Sequence, residues 1–475
     1  MKLIRSCYYH STKYLLKIKW VFVYICLLTG CAVGPEYRLP TVDVPKDYKE
    51  SNADWKIAAP QDDIDRGEWW KIFKDPQLDD FMQKLNVSNQ NIAASDAQYR
   101  QAKALVEQAS AGYAPQVTAS AASMREKVGQ TSSTSTKASA TVNASWEPDL
   151  WGSISNSVDA NEANAEASAA QLALTRLSMQ SSLAQYYFQL CTLDLLQKVL
   201  DNNVKSYKRL LEITKTRQGS GVASMLDIVT IESQLHAAEV IAVDNGVARA
   251  QYEHAIAALT GQSASTFSVP TTHSILTVPK IPLELPAELL ERRPDIAQAE
   301  RQMAAANAEI GVAQAAFYPT FSFNASGGYS STLAKWLSAP AQVWSLGPQL
   351  VANLFDGGLL RAKEEAAKAS YDQSVAIYRQ TILGAFQDVE DNLVSLRLLD
   401  WESKKQKEAV SSAELQLKLV SDEYVSGTAA LSDVITAQIN VYTTQNTLNS
   451  IEGRIMVASV GLVKALGGGW NRHVA

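Results

Sequence analysis

The chain writes nearly the same pattern twice, and a duplicated pattern of this length leaves few architectures open. Gly112-Tyr113-Ala114-Pro115 returns as Ala316-Phe317-Tyr318-Pro319 about 205 positions later. Three further landmarks keep the same order. Asp149-Leu150-Trp151-Gly152 is answered by Leu354-Phe355-Asp356-Gly357, the run from Gly221 to Asp227 by the run from Gly427 to Asp433, and Ala258-Leu259-Thr260-Gly261 by Ala465-Leu466-Gly467-Gly468. Each half carries the same plan: a helical run, an alternating segment, a loop, a second alternating segment and two long helical runs. The duplicated unit is therefore architectural.

A net charge of -6 without a basic block argues against nucleic acid as a partner. No apolar run beyond the N-terminus reaches the roughly 20 residues of a membrane-spanning helix. The N-terminus itself has the layout of a secretory signal, with Lys2, Arg5, Lys13, Lys17 and Lys19 ahead of the apolar run Trp20 to Leu28. Leu28-Thr29-Gly30-Cys31 resembles the bacterial lipobox, which makes Cys31 the expected lipidated first residue of the mature chain. Ala32, where Asp would signal inner-membrane retention, implies export to the outer membrane. Cys7 and Cys26 leave with the signal, so no disulfide framework is available, and Cys191 inside a helical run reads as a packing residue. The five histidines are scattered without ligand spacing, and no nucleophile elbow, phosphate loop or zinc-protease motif occurs, so neither a metal site nor an enzyme is expected. The only expected non-protein group is the covalent lipid on Cys31.

The sequence divides into a signal (1–30), a lipid-anchored extended segment (31–65), a first repeat (66–262), a Pro-rich linker (263–287), a second repeat (288–470) and a short tail (471–475). Pro35, Pro40, Pro45 and Pro60 break the extended segment. Asp75-Pro76 suits a helix start, and the pattern from there to Gly112 reads as one helix. Glu291-Arg292-Arg293-Pro294-Asp295-Ile296 opens the second repeat, its arginines read as structural.

Val117, Ala119 and Ala121, and later Val142, Ala144 and Trp146, alternate with polar residues, the period of strands. Phe321 and Phe323, then Val343, Leu350 and Leu354, repeat the figure around a Gly327-Gly328 separator. No Gly or Pro falls between Gly152 and Gly219, which predicts a helix of roughly 90 to 100 Å. Val375, Ile382, Val389 and Leu396 follow a heptad. Such helices, rich in Ala, Ser and Gln, need partners to bury enough surface. Four strands also cannot close, and in lipid an open edge leaves backbone groups unpaired, so a membrane role requires oligomerisation.

Cys31-Ala32-Val33-Gly34-Pro35-Glu36-Tyr37, Trp69-Trp70 with Phe73 and Asp75-Pro76, Arg292-Arg293-Pro294-Asp295-Ile296, and the paired glycine turns before Asp227 and Asp433 together resemble the outer membrane factors of the TolC and OprM type, in their lipoprotein branch. The resemblance implies an α+β fold: a membrane β-barrel, four strands per chain and twelve in a homotrimer, continuous with a long periplasmic coiled-coil barrel. It implies an exit duct of a tripartite efflux pump in the outer membrane, docking a periplasmic adaptor and an inner-membrane transporter of RND type.

It also implies site residues. Gly221, Ala223, Gly427 and Ala429 mark the hairpin tips where the adaptor docks. Asp433 matches a carboxylate of a constricting periplasmic ring, with Thr436 where a second Asp often stands. Tyr424 and Asp227 match a pair that latches the tips, while Ala429 replaces the arginine of a second latch. Asp227 and Asp433 are equally explained as carboxylates favouring the first turns of their helices. Two other readings stand beside the efflux duct: the same architecture serving type I secretion, and a periplasmic coiled-coil lipoprotein without a pore.

Overall fold

The structure is a computed structural model that describes residues 33–42, 45, 48–49, 66–127, 134–271, 293–332 and 341–468. The signal, Cys31, Arg292 and most of the linker lie outside the described residues. The first repeat runs α1 (Pro76–Ser88), α2 (Gln90–Ser110), β1 (Gln116–Glu126), β2 (Ser135–Trp146), α3 (Ser153–Gly219) and α4 (Met225–Leu259). The second runs α5 (Pro294–Ala315), β3 (Thr320–Thr332), β4 (Gln342–Val351), α6 (Leu359–Ser426) and α7 (Leu431–Ala465).

The duplication is close in length. Helices α3 and α6 have 67 and 68 residues, and α4 and α7 have 35 each. At about 1.5 Å per residue the two longest span roughly 100 Å.

The single helix expected from Pro76 to Gly112 is two helices. Asn89 breaks the run with φ -71° and ψ 122°, and its backbone N–H still bonds Leu85 O as the C-cap of α1. Its side-chain Oδ1 accepts from Asn91 N and Ile92 N, which starts α2. An asparagine offers the backbone this alternative to helix continuation, and period alone does not reveal it. The break also re-aligns the repeats. The 21 residues of α2 match the 22 of α5.

Asp75 caps α1 as expected, accepting from Gln77 N and Leu78 N at 2.9 and 3.1 Å. Leu78, Phe81, Met82 and Leu85 then turn one buried face inward, in register with an aromatic group. Phe73 packs on Phe188 with ring centroids 4.8 Å apart, and Trp69 Nε1–H donates to Gln180 Oε1.

The four strands form one antiparallel sheet in the order β1-β2-β3-β4. Register sets Val117 opposite Ala144, Ala144 opposite Ala325, and Ala325 opposite Leu346. The next row, Thr118, Asn143, Ser326 and Ser345, lies on the other face. Gly327 and Gly328 sit inside β3, not between strands, opposite Val142 and Thr141. Gly328 is where β2 comes closest, since a Cβ there would stand 2.0 Å from Ala140 O. Gly328 thus permits backbone approach, and neither glycine ends the strand. Leu354 falls beyond β4 and is almost wholly exposed.

The chain clusters into two compact units, and neither coincides with a repeat. One unit, Gln98–Ser168 and Gln298–Arg379 with the described N-terminal residues to Thr41, holds the sheet. The other, Ala169–Ala297 and Gln380–Ala475 with residues 42–97, holds the aromatic core around Tyr187, the return helices and both hairpin tips. In it the heptad residues Ile382, Val389 and Leu396 are buried as expected.

Candidate functional site

The sheet is built as a wall with two chemistries. Along one face run Ala119, Val142 and Trp344, then Val117, Ala144, Ala325 and Leu346, then Trp146, Phe323 and Pro348. The opposite face carries hydroxyls and amides that bond across strands: Ser120 Oγ lies 2.9 Å from Thr141 Oγ1, and Ser326 Oγ 2.8 Å from Ser345 Oγ. Trp344 and Leu346 are 78% and 74% exposed within the chain, which a water-facing sheet does not tolerate. Apolar outward and polar inward is the alternation of a membrane β-barrel wall.

Aromatic rings gather where the strands meet the helices. Trp151 stacks on Tyr318 at 4.8 Å and donates Nε1–H to Pro319 O, while Trp146 donates to Tyr113 O. Amphipathic rings at one level are what a lipid–water boundary selects. The segment after Cys31 is pinned at this level by Val33 and then runs back along α5. Val33 N–H donates to Trp151 O, Asn156 Nδ2 to Val33 O, Asn307 Nδ2 to Pro35 O, and Tyr37 Oη to Glu300 Oε1. Gly34, at φ +154°, sits against Gly311, where a Cβ would stand 3.0 Å from Gly311 Cα. Burial, with the Glu300 hydrogen bond second, pushes the Tyr37 hydroxyl well above its usual range.

At the C-terminal ends of α3 and α6 the two hairpin tips are copies of one motif. Gly221 and Gly427 have φ +79° and +84°. Val222 N bonds Arg217 O and Gly221 N bonds Gln218 O, matched by Thr428 N to Glu423 O and Gly427 N to Tyr424 O. Both are Schellman C-caps with glycine in the left-handed position. Six residues on, each return helix carries an aspartate in its first turn. Asp227 Oδ2 accepts from Ser224 N and Ser224 Oγ from Asp227 N, a full capping box. Asp433 Oδ2 accepts from Ala430 N, half a box, since alanine has no oxygen to return.

The expected Tyr424–Asp227 pair does not form within the chain. The Asp227 carboxylate is held by the N-terminus of α4, and Tyr424 looks elsewhere. Its hydroxyl lies 3.1 Å from Thr214 Oγ1, and the Arg217 guanidinium covers its ring at 4.5 Å. Arg217 Nη1 also donates to Tyr424 O at 2.6 Å and Val425 O at 3.3 Å. An arginine thus does clasp the tips, but it comes from the end of α3 and not from the position of Ala429. Its signal was available as a basic residue in the last turn of a long helix, where the negative end of the dipole favours it.

Beneath the clasp Leu210, Ile231, Tyr424, Leu431, Val434 and Ile435 form one apolar cluster, with Ala429 packed against it. Ala223 is half-buried, whereas Asp433 and Thr436 are exposed. The Thr436 hydroxyl donates to Ser432 O, one turn back. Val222, Met225, Leu226 and Val229 are exposed on the first tip.

The geometry now has a counterpart in known proteins. A family model described as outer membrane efflux protein matches residues 81–262 and 285–468. The chain belongs to the outer membrane efflux protein family. It is 30% identical to the pyoverdine export outer membrane protein OpmQ of Pseudomonas aeruginosa, over 94% of this chain and 95% of that one. To the cation efflux system protein CusC of Escherichia coli it is 26% identical, over 94% and 97%. The outer-membrane channel OprN superposes with a TM-score of 0.85 at 26% identity, covering 93% of this chain and all of that chain. The CmeC channel of Campylobacter jejuni, at 21% identity and a TM-score of 0.86, shares the fold. As a member of this family the protein is an efflux channel component of the outer membrane, with a β-domain and a helical barrel domain. The family is one of transport channels.

The arginines expected to be structural receive a definite part in Arg293, whose guanidinium bonds Asp295, Asp388 and Ala465 O. Burial and these two carboxylates act in opposite senses on it, and the net effect raises its already high value. Among the described residues no group of His, Cys, Asp and Glu is placed to hold a metal.

Proposed function

We propose that the protein is a homotrimeric, lipid-anchored exit duct that passes small molecules from an inner-membrane transporter, through a periplasmic adaptor, to the outside. The sheet carries the argument. It is apolar on one face, polar on the other and, among the described residues, unpaired along the outer edges of β1 and β4. In lipid those edges require partners, and known barrels begin near eight strands, so three copies closing a twelve-stranded barrel satisfy both conditions. Exposed Val240, Val243, Leu398, Trp401, Leu415 and Leu419 on the helices supply the apolar contact that the same assembly would bury. The first-listed relatives, an exporter of pyoverdine and a cation efflux protein by name, support a pump role. They differ in cargo, which fits selection of substrate by the transporter.

Acylation of Cys31 follows from the lipobox, and the pinning of Val33 two residues later would hold the lipid at the aromatic level. The exposed tips around Gly221, Ala223, Gly427 and Ala429 dock the adaptor, with Val222 and Leu226 as apolar anchors. Three Asp433 carboxylates line the periplasmic mouth, and Thr436 adds no charge to that ring. The clasp of Arg217, Thr214 and Tyr424 takes the latch role first assigned to Tyr424 with Asp227.

The test is conductance of the purified protein in planar bilayers together with its native mass. A folded trimer that conducts under no gating condition would sink the duct. Crosslinking in cells from Ala223 or Ala429 should capture an efflux adaptor, and capture of a secretion-type adaptor would favour type I secretion instead. A Cys31→Ser chain that still incorporates labelled fatty acid would refute the anchor.

A further inference from the structure

Resting on the duct reading, we infer that the strand section of the channel is indifferent to the charge of its cargo, taking cationic, anionic and zwitterionic solutes alike. The polar face of the sheet is lined by neutral groups, of which the row Thr118, Asn143, Ser326 and Ser345 is typical. Within the four strands the titratable residues on that face are Glu126 and Lys137, at the end away from the helices, and they form an ion pair with each other. Their charges cancel, so no net charge projects from the strands toward the space a barrel would enclose. Arg125 alternates to the apolar face, at the level of Thr136.

Charged rings are how pores choose between ions, because a low-dielectric wall focuses the field of each fixed charge along the axis. A wall of hydroxyls and amides can exchange hydrogen bonds with either sign of solute, as donor to an anion and acceptor from a cation. Many of these groups already bond each other, Ser120 with Thr141 and Ser326 with Ser345, which lowers their demand on a passing solute. Sorting by charge therefore belongs to the tips or to the transporter, and the barrel section sorts by size.

The test separates the strands from the tips by working in an Asp433→Asn background, which removes the proposed mouth carboxylates. In a potassium chloride gradient across a planar bilayer, that channel should show a cation-to-anion permeability ratio near one. Thr118 is exposed on the polar face, so Thr118→Asp should shift the ratio several-fold toward cations and Thr118→Lys several-fold toward anions. Two Thr118 variants that conduct with the ratio of the Asp433→Asn channel itself would overturn the inference, as would strong selectivity that persists once Asp227, Asp422 and Glu423 are also neutralised. A native trimer that conducts in none of these backgrounds would overturn the duct reading first, and this inference with it. Conduction with the wrong selectivity overturns the inference alone.

Discussion

Replacing Arg217 by alanine should loosen one hairpin tip and spare the other. The guanidinium makes a short charged bond to Tyr424 O at 2.6 Å and a longer one to Val425 O at 3.3 Å, and it stacks on the Tyr424 ring at 4.5 Å. A hydrogen bond to a charged donor is worth about 1.5 to 3 kcal/mol, and a partly exposed cation–π contact about 0.5 to 1. Against this stands Arg217 Nε, buried without a partner, which costs roughly 1 to 2 kcal/mol. The net is about 2 kcal/mol, or roughly a 30-fold rise in local opening when the side chain is removed.

The amides to watch are Gly427 and Thr428, which bond Tyr424 O and Glu423 O on the clasped helix. Hydrogen exchange should accelerate there by about that factor. Gly221 and Val222 close their own C-cap on backbone oxygens of Gln218 and Arg217, which the substitution leaves in place, and their exchange should hardly change. Arg217→Lys keeps the charge but not the fork or the stacking, and should fall between. Tyr424→Phe loses only the Thr214 bond, about 1 kcal/mol. The reasoning fails if Gly427 and Thr428 exchange at the parental rate in Arg217→Ala, or if both tips accelerate equally, since the latter would be general destabilisation.

Three further outcomes are expected. Gly328→Val should block trimer assembly by driving a Cβ onto Ala140 O, whereas Gly327→Ala, which meets nothing within 4 Å, should assemble normally on non-denaturing gels. Gly311→Ala should displace the Asn156 amide, 2.6 Å from the new Cβ, and so release Val33; limited proteolysis should then cleave near residues 33–37, with the remaining core intact. Burial pushes the Cys191 thiol from 9.0 to about 12. It should resist thiol reagents until the protein unfolds, and because only the unfolded chain ionises between those values, stability should decline as pH rises from about 9, by up to ~1.4 kcal/mol per unit at the steepest. A parent midpoint that stays flat across that range, or one that declines no more than that of Cys191→Ala, would refute the assignment.

The parts of this architecture that follow from periodicity were legible. Period two marks β1, β2 and the start of β3, the lack of Gly and Pro marks α3, and the heptad picks out Ile382 and Val389, whereas Val343 and Leu350 face opposite sides of β4 and Leu354 lies beyond it. What stayed hidden depends on single side chains answering distant backbone. Asn89 ends one helix and starts the next within a run whose apolar spacing never falters. Gly327 and Gly328 read as a loop because glycine punctuates turns, and only the approach of Ala140 O shows why the strand needs Gly328. Asp227 matches a latch residue only by resemblance, and within one chain its carboxylate answers the α4 N-terminus.

The duplication explains why Arg217 clasps in one direction only. Repeats here conserve a task more than a residue: Asn89 Nδ2 holds Leu259 O at the end of α4, and Arg293, in the matched place before α5, holds Ala465 O at the end of α7. At the tips that substitution of residue for task breaks down. The counterpart of Arg217, six residues before Ala429 rather than before Ala223, is Glu423, an acceptor that cannot donate to a helix end. A carboxylate in the last turn of α6 also opposes the helix dipole, and Arg217 brings its positive charge to those same last carbonyls. The two hairpins are thereby joined by a bond that the first can make and the second cannot return, so Glu423→Lys should compete for the Tyr424 carbonyl and weaken the clasp even though it adds a favourable charge to α6.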